Sequence, residues 1–342
     1  MAAFRQGRHR PISEQVVVIT GASQGIGRAT ALAVGRAGGT VVAAARNEQA
    51  LATLADEVRG AGGTAETVVA DVSDYEALQE VAQRAMARFG RIDTWVNDAA
   101  VSIYGHVDQL TPAEIDRVVR VNLLGQIYGS KIAAARMAAT GQGTIINIGS
   151  ALSERAVPLQ SIYVATKHGV AGFTEALRLE LKESTPGIDV VLILPSSINT
   201  PLFGSARSKL GVMPMPVPPV YDPSTVADAV IHAAQSGGRE IVVGGWGKLL
   251  IAAQSISATL VDRYMIQGRR LEHQQETDRP DDARDNLFVA SRGPGAVRGQ
   301  FGDGAKPVSI YTRELELHPM RKRALTVAAI VAALSLVRKV GT

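Results

Sequence analysis

The stretch VVVITGASQGIGRATALAV, residues 16–34, joins a β-branched run to a glycine-rich turn and then to a helical pattern. Apolar side chains at Ile26, Ala29, Ala33 and Val34 recur with the period of one helix face. A turn from strand to helix points backbone N–H groups and the positive helix end at an anion, and glycines allow close approach. A tight turn that binds nothing is the alternative. We predict a nucleotide-binding βα turn, whose cofactor contacts are Thr20, Gly21, Ser23, Gln24, Gly25, Ile26 and Gly27.

Outside this stretch, short β-branched runs alternate with helix-length segments from residue 16 to 245. The strand candidates are QVVVIT, TVVAAA, AETVVA, IDTWVN, GTIINIG, IDVVLILP and REIVVGG. Such alternation predicts an α/β fold, a Rossmann-like, doubly wound parallel sheet of seven strands with helices on both faces. Two helix starts show capping-box patterns, Ser73 with Glu76 and Thr111-Pro112 with Glu114.

Composition excludes several classes of protein. The 342 residues are 46% hydrophobic, enough for a sizeable core, and the net charge is only +4, so nucleic-acid binding is not indicated. There is no cysteine, which excludes disulfides and thiolate metal sites, and the six histidines lack ligand spacing, so we predict no metal. The N-terminal residues 1–13 form a basic tail without a following signal-peptide core, which favours the cytoplasm.

The stretch SALSERAVPLQSIYVATK, residues 150–167, holds the candidate chemistry. Tyr163 and Lys167 are four residues apart in a helical pattern, so their Cβ atoms should lie about 5–6 Å from each other. An ammonium favours the phenolate, which predicts a tyrosine whose pKa is lowered toward neutrality for acid–base work. An exposed Tyr–Lys pair on a solvated helix face is the alternative.

The end of the second strand bears on the choice of nucleotide. An acidic residue there prefers the free ribose 2′-hydroxyl of NAD, but this chain has Ala44-Ala45-Arg46. Arg46 can bind a 2′-phosphate, so NADP is favoured and NAD remains possible. Alternatively, Arg46 only caps the loop or pairs with Glu48.

These motifs together resemble those of the short-chain dehydrogenase/reductase family over roughly residues 14–247. The family order is matched by TGASQGIG, Asp71-Val72, NDAA at 97–100, Asn122, Ser150 and Tyr163 with Lys167. The resemblance implies an enzyme that transfers a hydride between a nicotinamide cofactor and a carbonyl or secondary alcohol, in a homodimer or homotetramer. The implied catalytic residues are Asn122, which positions a proton-relay water, Ser150, which bonds the substrate oxygen, Tyr163, the acid/base, and Lys167. The further implied cofactor contacts are Asp71, Val72, Asn97, Ala99, Tyr163, Lys167, Pro195, Ile198 and Thr200.

Two positions depart from the family pattern. The family usually has Asn-Asn-Ala-Gly where this chain has Asn97, Asp98, Ala99 and Ala100, and Pro-Gly where it has Pro195-Ser196. Ala100 is expected to crowd the nicotinamide ribose, and Asp98 adds an acid near the top of the sheet. Ser196 is expected to restrict the turn that covers the nicotinamide, while Thr200 keeps the position that bonds the carboxamide in the family.

The remaining residues bear on substrate and location. Residues 201–223, rich in Pro and Met, match the substrate lid of the family and suggest an apolar ketone, although a plain surface loop is the alternative. Residues 248–320 are predicted to form a helix at 248–267, which docks on the domain, closes the substrate cleft or contacts another subunit, followed by a polar segment that wraps the surface or stays disordered.

The C-terminal residues 321–342 contain an uncharged run of fourteen residues, 324–337, between basic clusters. As a helix this run would span about 21 Å, too short for a bilayer core of about 30 Å, so it predicts an interfacial membrane contact through 321–340 or a buried packing helix. The alternatives for the whole chain are a steroid- or lipid-directed dehydrogenase at a membrane surface and a non-catalytic NADP-binding scaffold or sensor.

Overall fold

The computed structural model describes residues 9–267, 275–280, 284–318 and 321. Its centre is a sheet of seven strands: β1 Val16–Thr20, β2 Thr40–Ala45, β3 Thr64–Val69, β4 Thr94–Asn97, β6 Gly143–Ile148, β7 Ile188–Pro195 and β10 Glu240–Val243. Their order across the sheet is β10-β7-β6-β4-β1-β2-β3, and every neighbouring pair is parallel. Two short strands outside this sheet, β5 Ile103–Tyr104 and β8 Arg207–Ser208, pair with each other. The predicted Rossmann-like fold is therefore confirmed, and each of the seven strand candidates became one of its strands.

Helices cover both faces of the sheet. They are α1 Gly25–Arg36, α2 Glu48–Gly60, α3 Tyr75–Phe89, α4 Pro112–Val119, α5 Gly125–Ala138, α6 Ser161–Ser184, α7 Ser224–Ser236, α8 Gly245–Ile256 and α9 Ala258–Ile266. Apolar residues of α1, α2 and α7 pack on one face of the sheet, and those of α3, α5 and α6 pack on the other. Strand residues alternate between these two cores, as Val17 and Val18 do, which explains why the buried strands have continuous β-branched runs.

Of the two predicted N-terminal helix caps, one is confirmed and the other is wrong. Thr111 caps α4 in the expected capping box with Glu114, and Pro112 occupies the first turn. For α3, however, the cap is Asp74, whose carboxylate accepts from the backbone N–H groups of Glu76 and Ala77. The Ser73 prediction is therefore wrong, because a carboxylate one residue later takes the same helix-end donors.

The helical segment from Pro112 to Ala138 is interrupted. A π-helical turn, Arg120–Leu124, separates α4 from α5 and carries Asn122 at its centre. Single π turns inside helices are often found at functional sites.

The chain beyond β10 packs back onto the Rossmann sheet. The predicted helix at 248–267 is two helices, because Ser257 is extended and its side chain accepts from Leu260 N–H to begin α9. Strand β11, Glu276–Pro280, then pairs antiparallel with β9, Val212–Pro214, inside the predicted lid. Residues 285–301, here called the strap, cross the carboxyl edge of the sheet.

The predicted membrane contact at 321–340 falls, except for Arg321, outside the described residues. Within the described ranges, no helix combines the length and apolarity that crossing a bilayer requires.

Candidate active site

A cavity of about 370 Å³ opens at the carboxyl ends of the strands, where the strand order reverses between β1 and β4. Open α/β sheets bind ligands at this switch point. The glycine turn, the ends of β2 and β3, the Ser150–Lys167 region, the lid and the strap all line it. One cavity therefore runs from the predicted nucleotide turn to the predicted catalytic residues.

The glycine turn is tightly fitted beneath this cavity. Gly21 has φ +74°, and a Cβ there would lie 2.7 Å from the Ala99 backbone. A Cβ at Gly27 would lie 2.5 Å from the Gly21 carbonyl oxygen and 2.9 Å from an Asp98 carboxylate oxygen. Any side chain at Gly21 or Gly27 would therefore force the turn away from the start of α1 and from the segment that follows β4. The result is a cradle at the start of α1 that suits the pyrophosphate of a dinucleotide.

Most of the predicted site residues line the cavity. They are Gly21, Ser23, Gln24, Gly25, Ile26, Arg46, Asp71, Val72, Ala99, Ser150, Tyr163, Lys167, Pro195, Ile198 and Thr200. Thr20, Gly27, Asn97 and Asn122 are not among the lining residues. Thr20 lies just below the turn, where its hydroxyl accepts from Asp98 N–H at 3.3 Å.

The Asn97 side chain forms hydrogen bonds within the core and does not line the cavity. Its Nδ2 donates to Asn147 Oδ1 at 2.8 Å and to Ser130 Oγ at 3.0 Å, and its Oδ1 accepts from Trp95 Nε1 at 2.8 Å. Both ends of the side-chain amide are used inside the core, and the cofactor contact of Asn97 that the family resemblance implies remains a prediction.

Asn122 is buried in the π turn, with its amide bonded to Val101. Its Oδ1 accepts from Val101 N–H at 2.8 Å, and its Nδ2 donates to the Val101 carbonyl at 2.9 Å. The side chain therefore fixes the segment after β4 next to the cavity. The water-relay role that the family resemblance implies remains a prediction.

Tyr163, Lys167 and Ser150 meet at the cavity wall. Lys167 Nζ lies 5.6 Å from the Tyr163 ring centroid and donates to the Ile148 carbonyl at 2.7 Å. Burial raises the pKa of Tyr163 to about 12, while a hydrogen bond with Ser150 acts to lower it. Burial also lowers the pKa of Lys167 to about 8. The direction is opposite to the predicted lowering of the tyrosine pKa, because burial outweighs the Ser150 hydrogen bond and the Asp98 carboxylate raises the pKa further, so the phenol is protonated at neutral pH.

The far end of the cavity carries two guanidinium groups around one carboxylate. Arg117 Nη2 lies 2.6 Å from Asp71 Oδ2, and Arg46 Nη1 lies 4.0 Å from the same oxygen. Burial acts to raise the pKa of Asp71, but hydrogen bonds from Arg117 and Ser73 outweigh it and hold that pKa below its usual value. This end keeps a net positive charge. The sequence analysis did not identify Arg117, because this residue lies on α4, far from β2 in the chain, and belongs to no recognised motif.

Asp98 is the unusual acid of the cavity. Its carboxylate accepts from Gly27 N–H at the start of α1, and the Lys167 ammonium is the positive charge that acts on it. Burial raises the pKa of Asp98 to about 7, against the opposing effects of Lys167 and Gly27. Asp98 therefore changes charge near neutral pH beside the turn where a pyrophosphate would bind.

We predict that Asp98→Asn flattens the pH dependence of dinucleotide affinity. Asp98 is neutral below pH 7 and anionic above it, so the wild type should bind NADPH several-fold more weakly at pH 8 than at pH 6. Fluorescence titration of NADPH at both pH values measures this change. At pH 6 the two proteins should bind alike, which serves as the internal control. A variant with the wild-type slope would exclude Asp98 as the titrating group.

The second departure from the family pattern, Ser196, is accommodated by its neighbours. Gly244 has φ +106°, and a Cβ there would lie 1.9 Å from Ser196 Oγ. The Ser196 hydroxyl is buried without a hydrogen-bond partner, at the nicotinamide end of the cavity. Because Gly244 has no Cβ atom, it leaves the space that the Ser196 side chain occupies. Ala100 also lines the cavity.

The part of the cavity beyond Ser150 and Tyr163 has many apolar lining residues, which come from the predicted lid, the α8–α9 pair and the segment after Ser150. Its lining includes Leu152, Val157, Leu202, Phe203, Met215, Val217, Trp246, Leu250 and Met265. Buried Arg155 holds the pair in place, since it donates to Gln254 of α8 at 2.5 Å and to Asp262 of α9 at 2.5 Å. Of the roles suggested for residues 248–267, this arrangement matches closure of the cleft.

The fold, the glycine cradle and the cavity at the switch point define a nicotinamide-dependent oxidoreductase of the Rossmann class. A family model described as short chain dehydrogenase matches residues 15–211. This chain therefore belongs to the short-chain dehydrogenase family, and it is an NAD(P)-dependent oxidoreductase that acts on CH–OH groups.

Relatives agree with this assignment. An uncharacterized oxidoreductase of Bacillus subtilis, YxnA, is 36% identical, and the match covers 95% of this chain and 90% of the relative. The ketoacyl reductase HetN of a Nostoc species is 30% identical, over 74% of this chain and 88% of the relative. Among solved structures, an actinorhodin polyketide ketoreductase with NADPH superposes with a TM-score of 0.61 and 29% identity, covering 68% of this chain and 96% of the other.

Proposed function

We propose that this chain is an NADPH-dependent ketoreductase that reduces an apolar ketone to a secondary alcohol, with Tyr163 as the proton donor. The observation that carries the proposal is the buried phenol, which shares an apolar cavity with Ser150, Lys167 and the glycine cradle. A pKa of about 12 keeps this phenol protonated at neutral pH, which is the form that a reduction requires.

The proposed chemistry divides between cofactor and chain. When bound, the nicotinamide supplies the hydride. Negative charge then develops on the substrate oxygen, where the Ser150 hydroxyl donates a hydrogen bond and the Tyr163 hydroxyl transfers its proton. Lys167 stands beside the phenol as an ammonium below pH 8 and balances the charge that the phenolate acquires. Asn122 holds the segment at Val101 that forms the adjoining wall.

The preference for NADP is supported by the two guanidinium groups at the far end of the cavity. Arg46 and Arg117 surround a single carboxylate, Asp71, so a 2′-phosphate would meet a net positive charge. Arg46 follows β2 directly, which is where the ribose hydroxyls lie in folds of this kind. The actinorhodin ketoreductase, a structural relative, was solved with NADPH.

The apolar substrate class is supported by the lining at the other end. Side chains from the lid, α8 and α9 leave mainly carbon atoms facing the reacting groups, and Met215 and Met265 adapt to varied shapes. HetN is a ketoacyl reductase and the actinorhodin protein acts on polyketides, which agrees with a carbonyl on an extended carbon chain.

A panel of ketones and secondary alcohols, offered with NADPH, NADH and their oxidised forms, tests this function. We expect NADPH-dependent reduction of bulky apolar ketones, followed by the loss of absorbance of the reduced nicotinamide. Small hydrophilic ketones of equal reactivity serve as the control and should react poorly. Turnover with the hydrophilic set alone would contradict the substrate class, and absence of turnover with every pair would favour the scaffold alternative.

We further propose that the chain assembles as a dimer or tetramer through α5 and α6. Leu123, Leu124 and Ile127 are partly exposed on this side, and Leu179 of α6 is 61% exposed, whereas Ile132 is buried in the core of its own subunit. We expect a mass of two or four protomers by light scattering at micromolar concentration. A monomeric mass would contradict this assembly.

A further inference from the structure

The strap, residues 285–301, crosses the rim of the nucleotide half of the cavity. Its backbone carbonyls accept hydrogen bonds from side chains of the second βα unit and from the glycine turn. Asn286, Ala290 and Ser291 belong to the strap and line the cavity. The part of the chain beyond the matched family region, 15–211, therefore supplies a wall of the nucleotide site.

At the adenosine end, the strap binds both cationic side chains of the site. Arg46 donates to the Asn286 carbonyl at 2.6 Å and to the Phe288 carbonyl at 3.2 Å, and Arg117 donates to the Leu287 carbonyl at 2.8 Å. The Leu287 side chain is completely buried in the core beneath. The strap thus orients the two guanidinium groups that face the adenosine ribose.

At its middle, the strap lies directly on the glycine turn. The Ala296 carbonyl accepts from Gly25 N–H at 2.9 Å, and the Pro294 carbonyl accepts from Thr53 Oγ1 at 2.7 Å. Gly295, with φ +78°, approaches so closely that a Cβ would lie 2.2 Å from the Ser23 carbonyl oxygen. Its neighbour Gly293 has φ +94°, but a Cβ there would meet no atom within 4 Å.

Both ends of the strap are held by charged pairs. Asp285 receives two hydrogen bonds from Arg207, at 2.9 and 3.2 Å, where the chain leaves the first part of the lid. At the other end, Arg298 lies 2.5 Å from Asp222, and Phe301 N–H donates to Asn199 Oδ1 at 3.0 Å. A segment fixed at both ends and in the middle forms a closed bridge over the nucleotide half of the cavity.

From this bridge we infer that the strap retains the dinucleotide, so that the adenosine half leaves only when the strap lifts from the glycine turn and from Arg46. The inference rests on the dinucleotide site assigned above. Release then requires several backbone hydrogen bonds to break together, which slows dissociation more than it changes association. The match to YxnA covers 95% of this chain and so extends into the region of the strap.

The test compares two glycines that both have a positive φ but differ in the space around a Cβ atom. Gly295→Ala places a methyl group against the Ser23 carbonyl and should push the strap outward, whereas Gly293→Ala imposes the same unfavourable positive φ in open space. NADPH release is measured by stopped-flow fluorescence after mixing the holoprotein with excess NADP⁺. We expect release about tenfold faster in Gly295→Ala, and within about twofold of wild type in Gly293→Ala.

A second variant avoids the cavity altogether. Thr53→Val keeps the shape of the side chain but removes the hydroxyl that donates to the Pro294 carbonyl, and Thr53 does not line the cavity. The same hydroxyl also lies 3.1 Å from the Ala50 carbonyl oxygen and accepts from Arg28 Nη2 at 3.2 Å. We expect release a few-fold faster, together with faster hydrogen exchange of strap amides in the NADPH-bound protein. If Gly295→Ala does not fold, Thr53→Val still tests whether the strap limits NADPH release.

Three outcomes would overturn the inference. Release rates equal to wild type in Gly295→Ala and Thr53→Val would show that the strap does not limit dissociation. Faster release without faster strap exchange would place the effect in the glycine turn. A wild-type protein that binds neither NADPH nor NADH would reject the dinucleotide site itself, and with it the proposed function.

Discussion

Tyr163→Phe should reduce kcat for ketone reduction by about 10²–10⁴-fold while leaving NADPH affinity within about twofold of wild type. The phenol is buried against Lys167 and hydrogen-bonds with Ser150, so the substitution deletes the transferable proton and almost no volume. Steady-state rates with a saturating ketone, combined with fluorescence titration of NADPH, separate the chemical step from cofactor binding.

Tyr104→Phe is the matched control for this experiment. Tyr104 is equally buried, lines the same cavity, and lies close enough for Tyr163 to raise its pKa in addition to the effect of burial. Loss of its hydroxyl should change kcat by no more than about tenfold, the scale of one hydrogen bond. If Tyr163→Phe retained more than a few per cent of activity, or if Tyr104→Phe lost as much, Tyr163 would not be the proton donor.

Ala45→Asp combined with Arg46→Ala should shift the ratio of kcat/KM for NADPH over NADH by at least about 10²-fold toward NADH. The first change places a carboxylate at the buried end of β2, and the second removes the guanidinium of the residue that follows this strand. Loss of a charge-assisted hydrogen bond costs about 1.5–3 kcal/mol, and repulsion of a 2′-phosphate adds to that cost. Initial rates with each cofactor and one shared ketone give the ratio.

Ala45→Asn with Arg46 retained is the control for shape, because it adds the same side-chain volume without the charge. Its cofactor ratio should stay within about fivefold of wild type, since the guanidinium is still present. An unchanged ratio in the double variant would remove Arg46 from the cofactor site. The strap would then be the main partner of its guanidinium, through Asn286 and Phe288.

The sequence determined the sheet and the position of the site along the chain. The periodicities of strands and helices are local patterns, because each depends on residues that are close together in the sequence. The glycine turn at 20–27 and the Tyr163–Lys167 spacing are local in the same sense. Once a parallel sheet is inferred, the carboxyl ends of its strands must meet at one edge. The cavity at the switch point follows from that geometry.

Tertiary structure decided the electrostatics and the closure of the site. The direction of the Tyr163 pKa, the proximity of Arg117 to Asp71 and the burial of Asp98 depend on contacts between segments distant in the chain, which no local pattern encodes. The strap shows this most clearly. Its polar, Gly-rich sequence has no helical or strand period, and its backbone carbonyls, which every residue possesses, make the contacts with Arg46 and Gly25. Because such contacts are independent of side-chain identity, only the folded chain could reveal them.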